Sequence, residues 1–192
     1  MIEFRTDYIN DLPYDKEQYL DCLDDEATTV INWYGYSIQL DKSRINNSDQ
    51  ILNELEKVLR NIVLILDNGS VWLVNHDDKD LKWFPNDDDN LNEIRILFKK
   101  NNVPNSYRGA LVLLKDDLFE FSHDLISYPY ILSYKNLDIS HGELQFIIKI
   151  TSHLSVDLLS TDKVLLDQMV NNDILKSFKK VEYKISPLNS NM

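Results

Sequence analysis

Ile62-Val63-Leu64-Ile65-Leu66-Asp67-Asn68-Gly69-Ser70-Val71-Trp72-Leu73-Val74 is the stretch on which the reading of the fold turns. Two apolar runs of strand length flank Asn68-Gly69, a pair that supplies the positive-φ residues of a tight turn whose twist matches paired strands. The pattern predicts a β-hairpin over residues 62–74. An antiparallel sheet built from hairpins is therefore the expected framework.

Working outward, Ser48 is placed to cap a helix running to about Arg60, with Ile51, Leu52, Leu55, Val58 and Leu59 as its apolar stripe. Thr28 to Leu40 is β-branched and aromatic and reads as strand, broken at Gly35. Asp15 to Asp25 places Tyr19, Cys22 and Leu23 on one helical face behind Pro13. Downstream, Asp89 to Lys100 has a helical stripe (Leu91, Ile94, Leu97, Phe98), with acids at its start and Lys99-Lys100 at its end, as the helix dipole favours. Asn101 to Ser106 is a turn, and the one place where an internal subdomain boundary would fall. Gly109 to Lys115 is an apolar strand, and Asp116 to Ser127 fits helix or strand until Pro129 breaks it. Tyr130–Ser140 and Glu143–Thr151 read as strands joined at His141-Gly142, followed by a third at Ser152–Leu159. Thr161 caps a last helix to about Asn172, Val181 to Ile185 forms a final strand, and the tail from Ser186 frays. The expected fold is α+β: one compact domain over residues 1–192, mainly antiparallel sheet with about four helices packed on it.

Charge is the strongest functional signal. Thirty-two Asp and Glu oppose twenty Lys and Arg, for a net charge of −12. Asp7 to Glu26 holds eight carboxylates against Lys16, and Asp77 to Asp89 holds six against Lys79 and Lys82. Such self-repulsion costs stability, so it points to solubility or to capture of a basic partner. It also disfavours direct nucleic-acid binding; the only basic cluster, Lys176, Lys179, Lys180 and Lys184, reads as helix-end and strand lysines. No apolar run approaches the roughly 18 residues of a membrane span, and the N-terminus lacks a signal-peptide pattern. A cytoplasmic location is the expectation. The single cysteine, Cys22, rules out an internal disulfide framework or a Cys-rich metal site and reads as a small buried residue.

Chemical motifs are few. Ser122-His123-Asp124, Ser140-His141 and Ser152-His153 spell fragments of a triad, but adjacent residues on a strand or helix point in different directions. There is no nucleophile elbow and no phosphate-binding glycine loop, so no cofactor is expected. Asn86-Asp87-Asp88-Asp89-Asn90 resembles a cation loop in composition only, without the Gly and distal Glu of an EF-hand. His76, Asp77, Asp78 and Asp80 form the one metal-like set, which would suit a divalent cation in a hydrolase or phosphoesterase. Trp33 and Trp72 are expected in the core, and Trp83, between aspartates and Pro85, at a loop edge.

Two functional classes follow. The first is an acidic protein that neutralises or holds a basic protein partner, with Asp77, Asp78, Asp80, Asp87, Asp88 and Asp89 as contact face and Trp83 as apolar anchor. Asp21, Asp24, Asp25 and Glu26 form a second choice of face. Bacterial toxin-immunity proteins, and acidic inhibitors that mimic DNA to block nucleases, resemble this chain in composition. The second class is the metal-dependent enzyme centred on His76–Asp80.

Overall fold

A computed structural model describes residues 2–16, 33–40, 47–76, 81–84, 91–132 and 136–185. Eight strands form one sheet: β1 (Glu3–Arg5), β2 (Trp33–Gln39), β3 (Trp72–His76), β4 (Ala110–Leu113), β5 (Leu137–His141), β6 (Phe146–Ile150), β7 (Val156–Ser160) and β8 (Lys179–Ile185). The order across the sheet is β1-β4-β3-β5-β6-β7-β2-β8, and every neighbouring pair is antiparallel. Five helices accompany it among the described residues: α1 (Ser48–Leu66), α2 (Asn92–Lys100), α3 (Lys115–Glu120), α4 (Ser122–Leu132) and α5 (Lys163–Val170). This is the α+β architecture expected from the pattern. Strands from before and after residues 101–106 interleave in the one sheet.

Both faces of the sheet are buried. On one, Trp72, Val74, Leu111, Leu113, Ile139, Ile148 and Leu158 join the helices in the main core. On the other, Leu73, Ala110, Ile147, Leu159 and Trp33 meet Tyr8, Leu12 and Tyr14 from the N-terminal segment. The central strands are consequently apolar on successive residues, not on alternate ones. The edges are guarded: β1 is three residues long, and β8 carries Lys179 and Lys180, which discourage pairing with another chain.

The predicted hairpin at residues 62–74 is corrected. Ile62 to Leu66 forms the last turn and a half of α1, and β3 pairs with β4 and β5 instead. The stripe Leu52, Leu55, Val58, Leu59, Ile62, Val63 and Leu66 is buried at helical spacing, while Leu64 and Ile65 are 52% and 40% exposed. Burying an aliphatic side chain contributes about 1.5–3 kcal/mol, whereas helix propensities of ordinary residues differ by about 0.7 kcal/mol or less. Tertiary burial therefore overrides the β-branched composition. Asn68-Gly69 does make a tight turn, with Gly69 at φ +85°, but it leads from helix to strand. Asp67 Oδ1 accepts from the Gly69 amide and Asn68 Oδ1 from the Ser70 amide.

Other differences are smaller. Pro129 does not end its segment, for α4 continues to Leu132 with Leu125, Ile126, Tyr128 and Pro129 buried. The strand predicted from Tyr130 therefore starts only at Leu137. Gly35 does not break β2, because it is paired with Leu159 on one side and Tyr183 on the other. The caps lie one residue from those predicted: Asn47 Oδ1 accepts from Gln50 N at 2.9 Å, and Asp162 Oδ1 from Val164 N and Leu165 N. The helix predicted over Asp15–Asp25 falls, beyond Lys16, outside the described residues, as do Cys22 and the tail from Ser186.

The two sides of α1 give a direct test. Val63→Asp, on the buried face, should unfold the protein or cost more than about 3 kcal/mol. Leu64→Lys should change stability by no more than about 0.5 kcal/mol. Urea denaturation of both variants checks this; comparable losses would contradict the helix.

Candidate functional site

The second acidic stretch is held in the chain at three buried points. The first is His76, at the end of β3, whose Nε2 lies 2.9 Å from the Tyr128 hydroxyl. That hydroxyl donates to the Trp83 carbonyl, so the imidazole is the donor to Tyr128. The second is Trp83-Phe84. Trp83 is 0% exposed, its indole donates to the Gly109 carbonyl at 2.8 Å, and its amide donates to Tyr107 O. The Phe84 amide donates to Asn105 O. The third is Leu91, fully buried ahead of α2. Around these points Phe4, Trp83, Phe84, Phe98, Tyr107 and Tyr128 pack edge-on or tilted, with centroids 5.0–6.3 Å apart. Gly109 is required here, since a Cβ would fall on Tyr107 Oη and on the Arg5 carbonyl. Arg95 lies over the Phe84 ring at 4.3 Å, closing the far side.

Trp83 is thus corrected from exposed anchor to core pin: a side chain with no exposed surface cannot offer its ring to a partner. Asp77, Asp78, Asp80, Asp87, Asp88 and Asp89 lie outside the described residues, as do Asp21, Asp24, Asp25 and Glu26. Of the metal-like set only His76 is described. Among the described residues no group of three or more His, Cys, Asp or Glu is placed to hold a metal ion.

The triad-like spellings resolve into structural roles. Ser122 donates to Glu56 Oε1 at 2.7 Å, and His123 Nδ1 lies 3.2 Å from Glu56 Oε2. Arg60 completes that cluster through Nε, 3.0 Å from Glu56 Oε1. Burial works to raise the Glu56 carboxyl, but Ser122, His123 and Arg60 together hold it below its ordinary value. Asp124 turns away and caps α2, accepting from the amides of Glu93 and Ile94 at 3.0 Å each. His141 receives the amides of Glu143 and Leu144 on Nδ1 and donates from Nε2 to the Leu66 carbonyl. Burial pushes its pKa below the ordinary 6.5, against the opposing pull of that carbonyl, Glu143 and Asp67.

One cluster carries no motif in the sequence. Asp138, with no exposed surface, has Lys16 Nζ 3.2 Å from Oδ2 and Lys149 Nζ 2.8 Å from Oδ1, the latter an ion-pair contact without hydrogen-bond alignment. Burial alone would raise this carboxyl; the ammonium groups of Lys149 and Lys16 override it and hold it low. Asp138 faces Lys149 across β5–β6 and Asn75 across β3–β5. Asn75 donates to the His76 carbonyl at 2.6 Å, while its Oδ1 has no hydrogen-bond partner among the described residues. With Tyr14, whose hydroxyl meets Ser140 Oγ at 2.9 Å, Lys16 fastens the N-terminal segment to the sheet. The register that aligns these side chains comes from strand pairing, so local spacing could not reveal them.

Among the described residues no helix is long and apolar enough to cross a membrane. Comparisons with family models, curated proteins and solved structures give no match to this chain.

Two expectations follow. Single substitutions Lys149→Met or Asp138→Asn should each cost about 3–5 kcal/mol by stranding buried charge, while Lys16→Met/Asp138→Leu/Lys149→Met together should cost far less than their sum. Urea melts of the series decide it; additive losses would refute the coupling. For His141, the unfolded chain takes up a proton near its ordinary pKa of 6.5 and the folded chain only at lower pH. Its contribution to stability is therefore complete above that pH and is lost as pH falls through the folded value. His141→Gln should cost about 1–3 kcal/mol at pH 7.5 and flatten the stability profile between pH 6.5, the ordinary value, and 4.5, where Glu56's ordinary value lies.

Proposed function

We propose that the chain is an acidic binding protein that neutralises or holds a basic protein partner, as an immunity or inhibitor protein does with a toxin or nuclease. The observation that carries this reading is the six-carboxylate run Asp77–Asp89, entered at His76, pinned midway by Trp83-Phe84 and left at Leu91. The carboxylates supply charge complementarity: a negative face speeds encounter with a basic protein and pairs with its Lys and Arg side chains. The first acidic stretch begins in the described residues 7–16, which are anchored through Tyr8, Leu12, Tyr14 and Lys16.

The test compares the tagged protein with an Asp87→Asn/Asp88→Asn/Asp89→Asn variant in low-salt capture from its native cells. Wild type should recover a basic protein, and the variant should associate with it about tenfold more slowly and with a shallower dependence on salt. Identical recovery and rates would reject this acidic run as the contact face.

A further inference from the structure

A groove runs along α2 and the corner between α3 and α4. Leu97 and Phe121 form its floor, Ile2 closes one side, and Ile96 stands 51% exposed on its rim. Its volume is about 370 Å³, at the lower end of the roughly 300–1,000 Å³ of pockets that hold small ligands. Glu93 and Glu120 also line it, both exposed, and among the described residues neither carboxylate has a hydrogen-bond or ion-pair partner. Lys100 lies seven residues from Glu93 along the same helical face.

We propose that this groove seats an arginine side chain of the basic partner, its stem on Leu97, Phe121 and Ile96 and its guanidinium on Glu93 and Glu120. The inference rests on the binding-protein reading above and names the apolar contact that Trp83 does not supply. Charge complementarity selects the occupant: two unpaired carboxylates border an apolar floor, the combination that accepts an aliphatic stem ending in a cation. Lys100 repels a cation at its own end and so orients the head group towards Glu93. In sequence, Glu93 follows Asp89 by four residues. Arginine in a desolvated pocket beside such charge is a typical source of binding energy at interfaces.

The probe is the peptide acetyl-Leu-Arg-Leu-amide, with acetyl-Leu-Gln-Leu-amide as control, titrated at low salt into the ¹⁵N-labelled full chain. Saturable amide shifts should centre on Glu93, Ile96, Leu97, Glu120 and Phe121, with affinity in the millimolar range. Glu93→Gln/Glu120→Gln should weaken binding about tenfold, and Ile96→Ser about threefold, with the spectra of the free variants otherwise preserved because all three side chains are exposed. The Asp87–Asp89→Asn variant should keep its affinity for the peptide within about threefold. Shifts centred elsewhere, equal binding of the glutamine peptide, or no saturable shift up to about 20 mM would overturn the proposal. The two readings fail separately. Peptide bound in the groove, with partner capture indifferent to Asp87–Asp89, rejects the acidic run and retains the groove; the reverse result rejects the groove alone.

Discussion

Covering both faces of a single antiparallel sheet is the constraint from which the other features follow. Helices bury one face through Trp72, Val74, Ile139 and Ile148. The second face is met by the N-terminal segment, where Tyr8, Leu12 and Tyr14, around the 3-10 turn Ile9–Asp11, lie over Leu73, Ile147, Leu159 and Trp33. A short segment of that kind buries little area, and non-directional apolar contact would leave its register poorly defined. Lys16 on Asp138 and Tyr14 on Ser140 give it direction. The buried charges cost desolvation, so their return is specificity of position more than stability.

The same constraint explains what could be read from the sequence and what could not. In the consecutive antiparallel meander β5 to β7 the apolar runs reveal all three strands, but the first is begun seven residues early at Tyr130 and the third four early at Ser152, where helix α4 and a turn intervene. Where both faces are buried, the alternation that separates strand from helix disappears, and Ile62–Leu66 is as apolar as any strand. Its helical state is decided by continuity with Leu52, Leu55 and Leu59 one to three turns earlier, a longer-range signal than the adjacent Asn68-Gly69. That dipeptide marks a positive-φ turn correctly but does not say which elements it joins. Pro129 misleads for a related reason: burial of its neighbours outweighs the hydrogen bond that proline cannot donate.

The candidate site shows the same division. Acidity and its bunching are composition, and composition is legible. Whether an aromatic beside those acids faces solvent is a tertiary matter: Trp83 is turned inward by the Gly109 carbonyl and by Tyr128, residues 26 and 45 positions away. Ser122, His123 and Asp124 are neighbours in sequence and part company in space: the first two meet separate oxygens of Glu56, and Asp124 caps α2. Lys16, Asp138 and Lys149 are remote in sequence and adjacent in space. The groove at α2 belongs to this second kind, for Glu120 and Ile96 line one groove only because the corner between α3 and α4 is brought to α2.

The distribution of charge between interior and surface bears on function. The acidic and basic side chains buried among the described residues, apart from histidines and tyrosines, are Lys16, Lys149, Asp124 and Asp138. Two bases and two acids cancel, so the interior formed by the described residues takes up none of the chain's net −12. All of that excess is carried by exposed groups or by the residues outside the description, where it acts as self-repulsion. A fold under no demand beyond stability gains from shedding such charge. Retaining it on runs fastened at His76, Trp83 and Leu91, beside an apolar groove rimmed by Glu93 and Glu120, puts the repulsive cost where an incoming cation would relieve it. Under the proposed binding role, a basic surface would gain twice, from new charge pairs and from lost repulsion, and both gains would weaken as salt screens them.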